Sequence, residues 1–160
     1  MRDAFTLRLA SRADAAAIAA LSRDRIEHGL GWSWTAPRVL RSIDDLATNA
    51  VVATAHGAPL RGFGLMKYFD DEAHLLLFAV RADAGRRGIG SALLAWLERS
   101  AQVAGIAHIR LEARLDNAAA LAFYARAGYR QTETLPGYYQ GVESAVRMTK
   151  DLWPARVAPG

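Results

Sequence analysis

The stretch best equipped for chemistry runs Gly85-Arg86-Arg87-Gly88-Ile89-Gly90-Ser91. It follows an apolar run, His74 to Val80, that reads as a buried strand. After it, Ile89, Leu93 and Leu97 recur at i, i+4 and i+8, with Leu94 and Ala101 beside them, as on the buried face of a helix. The first turn of a helix presents N–H groups that lack internal partners, and the macrodipole adds partial positive charge there. Gly88 and Gly90 have no side chain to hold a phosphate away from the backbone. Arg86 and Arg87 add full charges and Ser91 a hydroxyl, so the ligand that suits this stretch is a pyrophosphate. No Lys-Ser/Thr pair follows the glycines, which excludes the phosphate loop of nucleotide hydrolases, and Leu93 stands where a dinucleotide fold would need its third glycine. The competing reading is a glycine-rich turn with solvated arginines.

A second segment, Asn117-Ala118-Ala119-Ala120-Leu121-Ala122-Phe123-Tyr124-Ala125-Arg126-Ala127-Gly128-Tyr129, shares the chain with this loop. Together the two resemble the signatures of the GCN5-related N-acetyltransferase superfamily. The loop resembles its coenzyme-A pyrophosphate motif, Arg/Gln-x-x-Gly-x-Gly/Ala, through Gly88 and Gly90. It departs at Gly85, where the family carries Arg or Gln, with arginine displaced to Arg86 and Arg87. The second segment fills every fixed position of Asn-x-x-Ala-x-x-x-Tyr-x-x-x-Gly-Phe/Tyr.

The resemblance implies acetyl-CoA as co-substrate. Gly85, Arg86, Arg87, Gly88, Ile89, Gly90 and Ser91 would hold the pyrophosphate. The main chain of Phe78, Ala79 and Val80 would bond the pantetheine arm where the fourth and fifth strands splay. Tyr124 would donate a proton or hydrogen bond to the departing thiolate, and a phenol with a pKa near ~10 stays protonated at neutral pH. The competing role for Tyr124 is aromatic packing. Asn117 is expected to cap its helix and to touch the pantetheine arm.

Two residues compete for the role of base. Leu111-Glu112-Ala113-Arg114 followed by Asn117 is similar to the bacterial ribosomal-protein N-terminal alanine acetyltransferases, in which a glutamate at the Glu112 position is proposed as base. His74 stands where histone-type members carry a catalytic glutamate, and a free imidazole, with a pKa near ~6.5, suits proton relay. The bland alternatives are an ion pair of Glu112 with Arg114 and a hydrogen bond of His74 to Asp71 or Glu72. Trp32, Trp34, Tyr138 and Tyr139 are candidates for binding the acceptor. Tyr138-Tyr139, with Ala145-Val146-Arg147-Met148, resembles the ending of N-terminal acetyltransferases, which implies a peptide N-terminus or a small amine. The tryptophans could instead pin their loop to the core or form a homodimer contact. No His and carboxylate residues have metal-ligand spacing, so no metal is expected.

The elements that must position these residues follow from the patterning. Phe5 to Ala10 alternates as a strand. A helix starts at Asp14 and stops at Gly29, and a second follows Thr35 with Pro37 in its first turn and Val39, Leu40, Ile43 and Leu46 as its buried stripe. Ala50 to Ala55 and Leu60 to Phe69 form a hairpin through His56-Gly57-Ala58-Pro59. The strand at His74, the helix to about Gly105, a strand from Ile106 to Ala113 and a helix from Asn117 to Ala127 come next. Strands Tyr129 to Thr134 and Ser144 to Leu152 close the chain around a long turn, Leu135 to Gly141. The order β-α-α-β-β-β-α-β-α-β-β implies an α/β (α+β) single-domain fold with a mixed sheet of about seven strands and four helices. That order is the superfamily's.

The 160 residues suit one domain, 1–153, with 154–160 as a flexible tail. A hydrophobic fraction of 52% suits a globular chain. The absence of cysteine excludes disulfides and thiolate chemistry. The net charge of +4 is carried almost wholly by arginine, only Lys67 and Lys150 being lysine, and no basic cluster interleaved with aromatics points to nucleic acid. No apolar run reaches the ~18 residues of a membrane span, and no signal segment opens the chain. A cytoplasmic protein without membrane partners is expected. The rival function is a non-catalytic acyl-CoA-binding sensor or interaction module.

Overall fold

Short runs of alternating and β-branched residues form seven strands: β1 Thr6–Leu9, β2 Thr48–Thr54, β3 Gly62–Tyr68, β4 Glu72–Val80, β5 His108–Arg114, β6 Arg130–Tyr139 and β7 Glu143–Asp151. Ala-rich and Leu-rich segments form α1 Ala15–Arg25, α2 Ala36–Asp44, α3 Ile89–Val103 and α4 Ala118–Arg126. The computed structural model describes residues 5–56, 59–82 and 88–153. The strands make one mixed sheet in the order β1-β2-β3-β4-β5-β7-β6. β1 to β4 pair antiparallel in sequence, β4 runs parallel to β5, and β7 inserts antiparallel between β5 and β6. The expected fold class is therefore the one found.

Each face of the sheet buries its own core. Ile18 and Ala19 of α1 and Val39 of α2 pack on Val52, Phe63, Leu65, Leu77 and Ala79. On the other face Leu93 and Leu97 of α3 and Tyr124 of α4 pack on Val51, Met66, Leu75, Ile109, Leu111 and Met148. Each fully buried leucine contributes on the order of 1.5–3 kcal/mol by leaving water. α3 sits very close to the sheet: a Cβ at Gly64 would lie 2.6 Å from Leu97 Cδ1.

β4 contains the irregularity that matters. With a period of two, Leu75 and Leu77 should share a face. Instead Leu75 joins the core under α3, and Leu77 and Ala79 join the core under α1. The register shows why: Leu65 pairs with Leu77 and Met66 with Leu75, so Leu76 is an extra residue, a β-bulge that turns the strand over. Pairing with β5 ends at the same point, the last partners being Leu75 and Leu111. Beyond them β4 runs on to Val80 along β3 and β5 to Arg114 along β7 without pairing to each other, and a cleft opens between them.

Several sequence expectations are corrected. Leu46 is fully exposed, because α2 ends at Asp44 and the stripe does not reach it. The side chain of Thr35 makes no capping hydrogen bond. Residues 135–139 are strand rather than turn, so β6 reaches Tyr139 and the connection shrinks to 140–142. Three sequence expectations lie outside the described residues: Gly57 and Ala58 of the hairpin, Gly85, Arg86 and Arg87 of the loop, and the tail 154–160.

Candidate active site

The cleft between the splayed strands has a volume of about 1020 Å³. It is lined by β4 from His74 to Val80, by β5 from Leu111 to Arg114, and by Phe123 and Tyr124 of α4. Trp34 and Arg38, from the α1–α2 loop and the start of α2, and Tyr138, Tyr139 and Gln140 complete the other end.

One half of the cleft is mostly backbone. The β4 main chain at Phe78, Ala79 and Val80 has lost β5 as a ladder partner, which frees polar groups on that edge to bond an amide-bearing arm. α3 begins at its glycine cap, Gly88, held at φ +77°, a conformation that suits glycine. The first amide to bond within this helix is Ala92 N–H, to Gly88 O, so those of Ile89, Gly90 and Ser91 lack helical partners. Gly90 lines the cleft, and a Cβ there would meet its nearest neighbours, Phe123 and Val80, at 3.5 Å, an ordinary contact. These features fit a coenzyme-A arm and its pyrophosphate. The Ile89 side chain is buried in the core, which leaves only its main chain for a ligand, and Ser91 opens onto a neighbouring hollow. Asn117 lines the cleft while its Oδ1 caps α4 by accepting from Ala120 N–H at 3.1 Å.

Tyr124 stands on the α3/α4 face, 7% exposed, edge-on to Phe78, Phe123 and Tyr129. Its hydroxyl makes no hydrogen bond among the described residues. Burial, with a smaller contribution from Tyr139, pushes its pKa well up, so the phenol keeps its proton at any working pH.

The other half is a cluster of charged side chains on the opposite face. His74 Nε2 lies 3.0 Å from Glu112 Oε2, so the two rival bases form one pair. The Glu112 side chain is only 3% exposed. Arg110 Nη1 donates to its Oε1 at 3.0 Å, Arg147 Nη2 stands at 3.5 Å, and the Tyr138 hydroxyl donates at 3.4 Å. Burial pushes the Glu112 carboxyl up, but the His74 hydrogen bond and the charges of His74, Arg110 and Arg147 outweigh it and hold the group below the usual carboxylate range. Glu112 is thus ionised, a pure acceptor, and His74 Nε2 carries the hydrogen. His74 Nδ1 faces no partner among the described residues.

Neither bland pairing occurs. Arg114 turns away from Glu112. Its Nη1 donates to the carbonyls of Ile26 at 3.2 Å and His28 at 2.7 Å, and its guanidinium pairs with Asp116 and Glu143, which anchors the end of α1. Glu72 pairs with His108 and Arg110 rather than with His74. The acceptor candidates separate. Trp34 lines the cleft with the Arg38 guanidinium 3.9 Å over its ring, and Tyr138 and Tyr139 line it too. Trp32 does not line it; it stacks against Arg23 and donates from Nε1 to Trp34 O. The buried Glu27 fixes this loop by accepting from Ser33 N–H, the Ser33 hydroxyl and Trp34 N–H.

Arg110, Arg147, Glu27 and Gln140 escaped the sequence reading. Strand alternation could have found Arg110, two residues from Glu112 on the same face. Arg147 needs the β5–β7 register, in which it stands opposite Glu112. Among the described residues no group of three or more His, Cys, Asp or Glu side chains could hold a metal ion, and no helix is long and apolar enough to cross a membrane.

Comparison with known proteins agrees with this fold. Residues 17–129 match the Acetyltransferase (GNAT) family. The chain is 41% identical over 78 residues to an uncharacterised N-acetyltransferase of Methanocaldococcus jannaschii, covering 48% of this chain and 50% of that one. It is 36% identical over 92 residues to the [ribosomal protein bS18]-alanine N-acetyltransferase of Escherichia coli, covering 56% of this chain and 62% of that one. The matches thus span half to three-fifths of these curated relatives' lengths. Among solved structures, Ard1 of Thermoplasma volcanium superposes with a TM-score of 0.82 at 28% identity, covering 94% of this chain and 99% of that one. An N-acetyltransferase of Thermoplasma acidophilum, solved with coenzyme A, shares the fold with a TM-score of 0.76 at 20% identity, covering 92% and 99%.

Proposed function

The chain belongs to the Acetyltransferase (GNAT) family, and from that premise we propose that it transfers an acetyl group from acetyl-CoA to a primary amine, a peptide N-terminus or a small amine. One observation carries this reading. The cleft passes through the sheet where β4 leaves β5, with Tyr124 on one face and the His74–Glu112 pair on the other. An acid and a base held on opposite sides of one gap suit a displacement in which the amine arrives from one side and the sulfur departs on the other.

Acetyl-CoA supplies an acyl carbon activated as a thioester. Phe78, Ala79 and Val80 offer main-chain groups to its pantetheine arm, and the first turn of α3 offers amides to its pyrophosphate. His74 Nδ1 takes the proton that the amine loses as the N–C bond forms. Glu112 holds the imidazole in the tautomer this requires and stabilises the imidazolium that results, the division of labour in hydrolase triads. Tyr124 donates a hydrogen bond to the sulfur as the C–S bond breaks. Its raised pKa favours sharing the proton over giving it up early. The peptide version draws support from the E. coli relative, whose name gives an alanine of a ribosomal protein as acceptor.

The test is a mass-spectrometric assay with acetyl-CoA and a panel of peptides and small amines. A gain of 42 mass units on one amine, with release of free thiol, supports the reading (the figure is about the mass of an added ketene unit, C2H2O, which fixes one acetyl per amine). Binding of acetyl-CoA without transfer to any amine would support the non-catalytic module instead.

A further inference from the structure

The connection between β6 and β7 contains an unusual choice of residue. Val142 N–H bonds to Tyr139 O at 3.0 Å, with Gln140 at φ +55° and Gly141 at φ +72° between them. Two central residues at positive φ define a type I′ turn, which favours Asn-Gly. Gln140 is the only non-glycine residue at positive φ among the described residues. Such an outlier persists when its surroundings hold it, and it is a reason to look for a role.

What holds it is a double hydrogen bond across the cleft. Gly31 N–H donates to Gln140 Oε1 at 2.9 Å, and Gln140 Nε2 donates to Gly31 O at 2.6 Å. Asparagine would suit the turn better but is one methylene too short for this reach. The fit at Gly31 is close: a Cβ there would lie 3.1 Å from Oε1. The clasp joins the two segments that border the acceptor half. One carries Leu30, Ser33 and Trp34, and the other carries Tyr138 and Tyr139. Tyr139 is tied in turn to the floor, its hydroxyl donating to Glu112 O at 3.2 Å. Both clasp residues are exposed, so water competes for these bonds and the clasp can open.

We propose that the Gln140–Gly31 clasp is a specificity latch that sets the width of the acceptor entrance, admitting a peptide whose first side chain is small and rejecting one whose first side chain is large. This rests on the transferase reading above. Gln140 is a positioning residue; it fixes the walls beside His74 and Glu112 and touches neither.

The experiment compares wild type, Gln140→Asn and Gly31→Ala on two tetrapeptides that differ only in the first residue, alanine or tryptophan. Gln140→Asn keeps or improves the turn, so loss of folding does not confuse the result. The wild type should prefer the alanine peptide. Both variants should lower that preference by about tenfold or more, the scale of pocket-shape discrimination. The loss should come mainly from faster use of the tryptophan peptide, at unchanged KM for acetyl-CoA. The Gly31 amide should exchange its hydrogen faster in Gln140→Asn than in wild type. Unchanged preference in both variants, or equal use of the two peptides by wild type, overturns the latch alone. A wild type that acetylates neither peptide overturns the peptide-transferase reading and the latch with it.

Discussion

The two halves of the cleft are built by opposite means. The half proposed for the coenzyme offers main chain: the edge of β4 from Phe78 to Val80 that β5 leaves uncovered, and the first turn of α3 at Gly88 to Ser91. The half proposed for the acceptor relies on groups brought together from distant segments, His74 to Glu112 over 38 positions and Gly31 to Gln140 over 109. Main-chain recognition asks the sequence only for glycines and a helix start. Side-chain recognition asks for charges placed by the whole fold. The first is cheap in information and tolerant of substitution; the second is specific and fragile.

Breaking each half should therefore give a different signature. His74→Ala removes the basic nitrogen on the acceptor side, and kcat/KM for the amine should fall by about 10²–10⁴-fold, the usual worth of a general base. Acetyl-CoA affinity, measured by calorimetry, should stay unchanged. An equal loss of acetyl-CoA affinity would break the division between the halves. Tyr124→Phe should lower kcat by about 10²-fold, as for one donor aimed at developing charge. Steady-state kinetics with chemistry shown to limit turnover checks this, and unchanged kcat would leave Tyr124 a packing residue.

On the coenzyme half the expected loss is smaller and lies in binding. Gly90→Ala should weaken acetyl-CoA by about tenfold, or ~1.4 kcal/mol, while the melting temperature without ligand holds, because the new Cβ meets its neighbours at an ordinary 3.5 Å. Calorimetric titration reads the first and thermal unfolding the second.

The smallest effect sharpens the electrostatics of the acceptor half. Glu112 has a lowered pKa in the fold, so its contribution to stability is present above the ordinary glutamate value of ~4.3 and is lost as pH falls through the lower folded value. The stability difference between wild type and Glu112→Gln should be largest near neutrality and shrink in acid, as urea midpoints at pH ~7 and pH ~3 would show. A difference independent of pH would mean that Glu112 gains nothing from its cationic neighbours.

The same contrast explains what was legible in the sequence. The start of α3 at its glycines, the capped α4 and the order of elements along the chain were readable because each is local: apolar spacing marks α3, and Asn117 caps α4 three residues before the amide it binds. The bulge at Leu76 was invisible, since Leu75-Leu76-Leu77 is uniformly apolar and nothing in it says that the faces exchange. His74 and Glu112 read as rivals because only the parallel pairing of β4 with β5 reveals them as partners. Leu46 was misplaced because helical spacing continues on paper past the end of α2. Gln140 carries no local signal except that it occupies a turn position better suited to asparagine.

The most direct test of the central claim is the pH dependence of kcat/KM for the amine at saturating acetyl-CoA, in wild type and in His74→Ala. A proton-accepting His74–Glu112 pair predicts a wild-type profile whose acid side carries two ionisations, the amine's and the pair's, and a much slower His74→Ala profile that keeps only the amine's. A His74→Ala profile that keeps both ionisations at undiminished rate would contradict it and move the base elsewhere in the cleft.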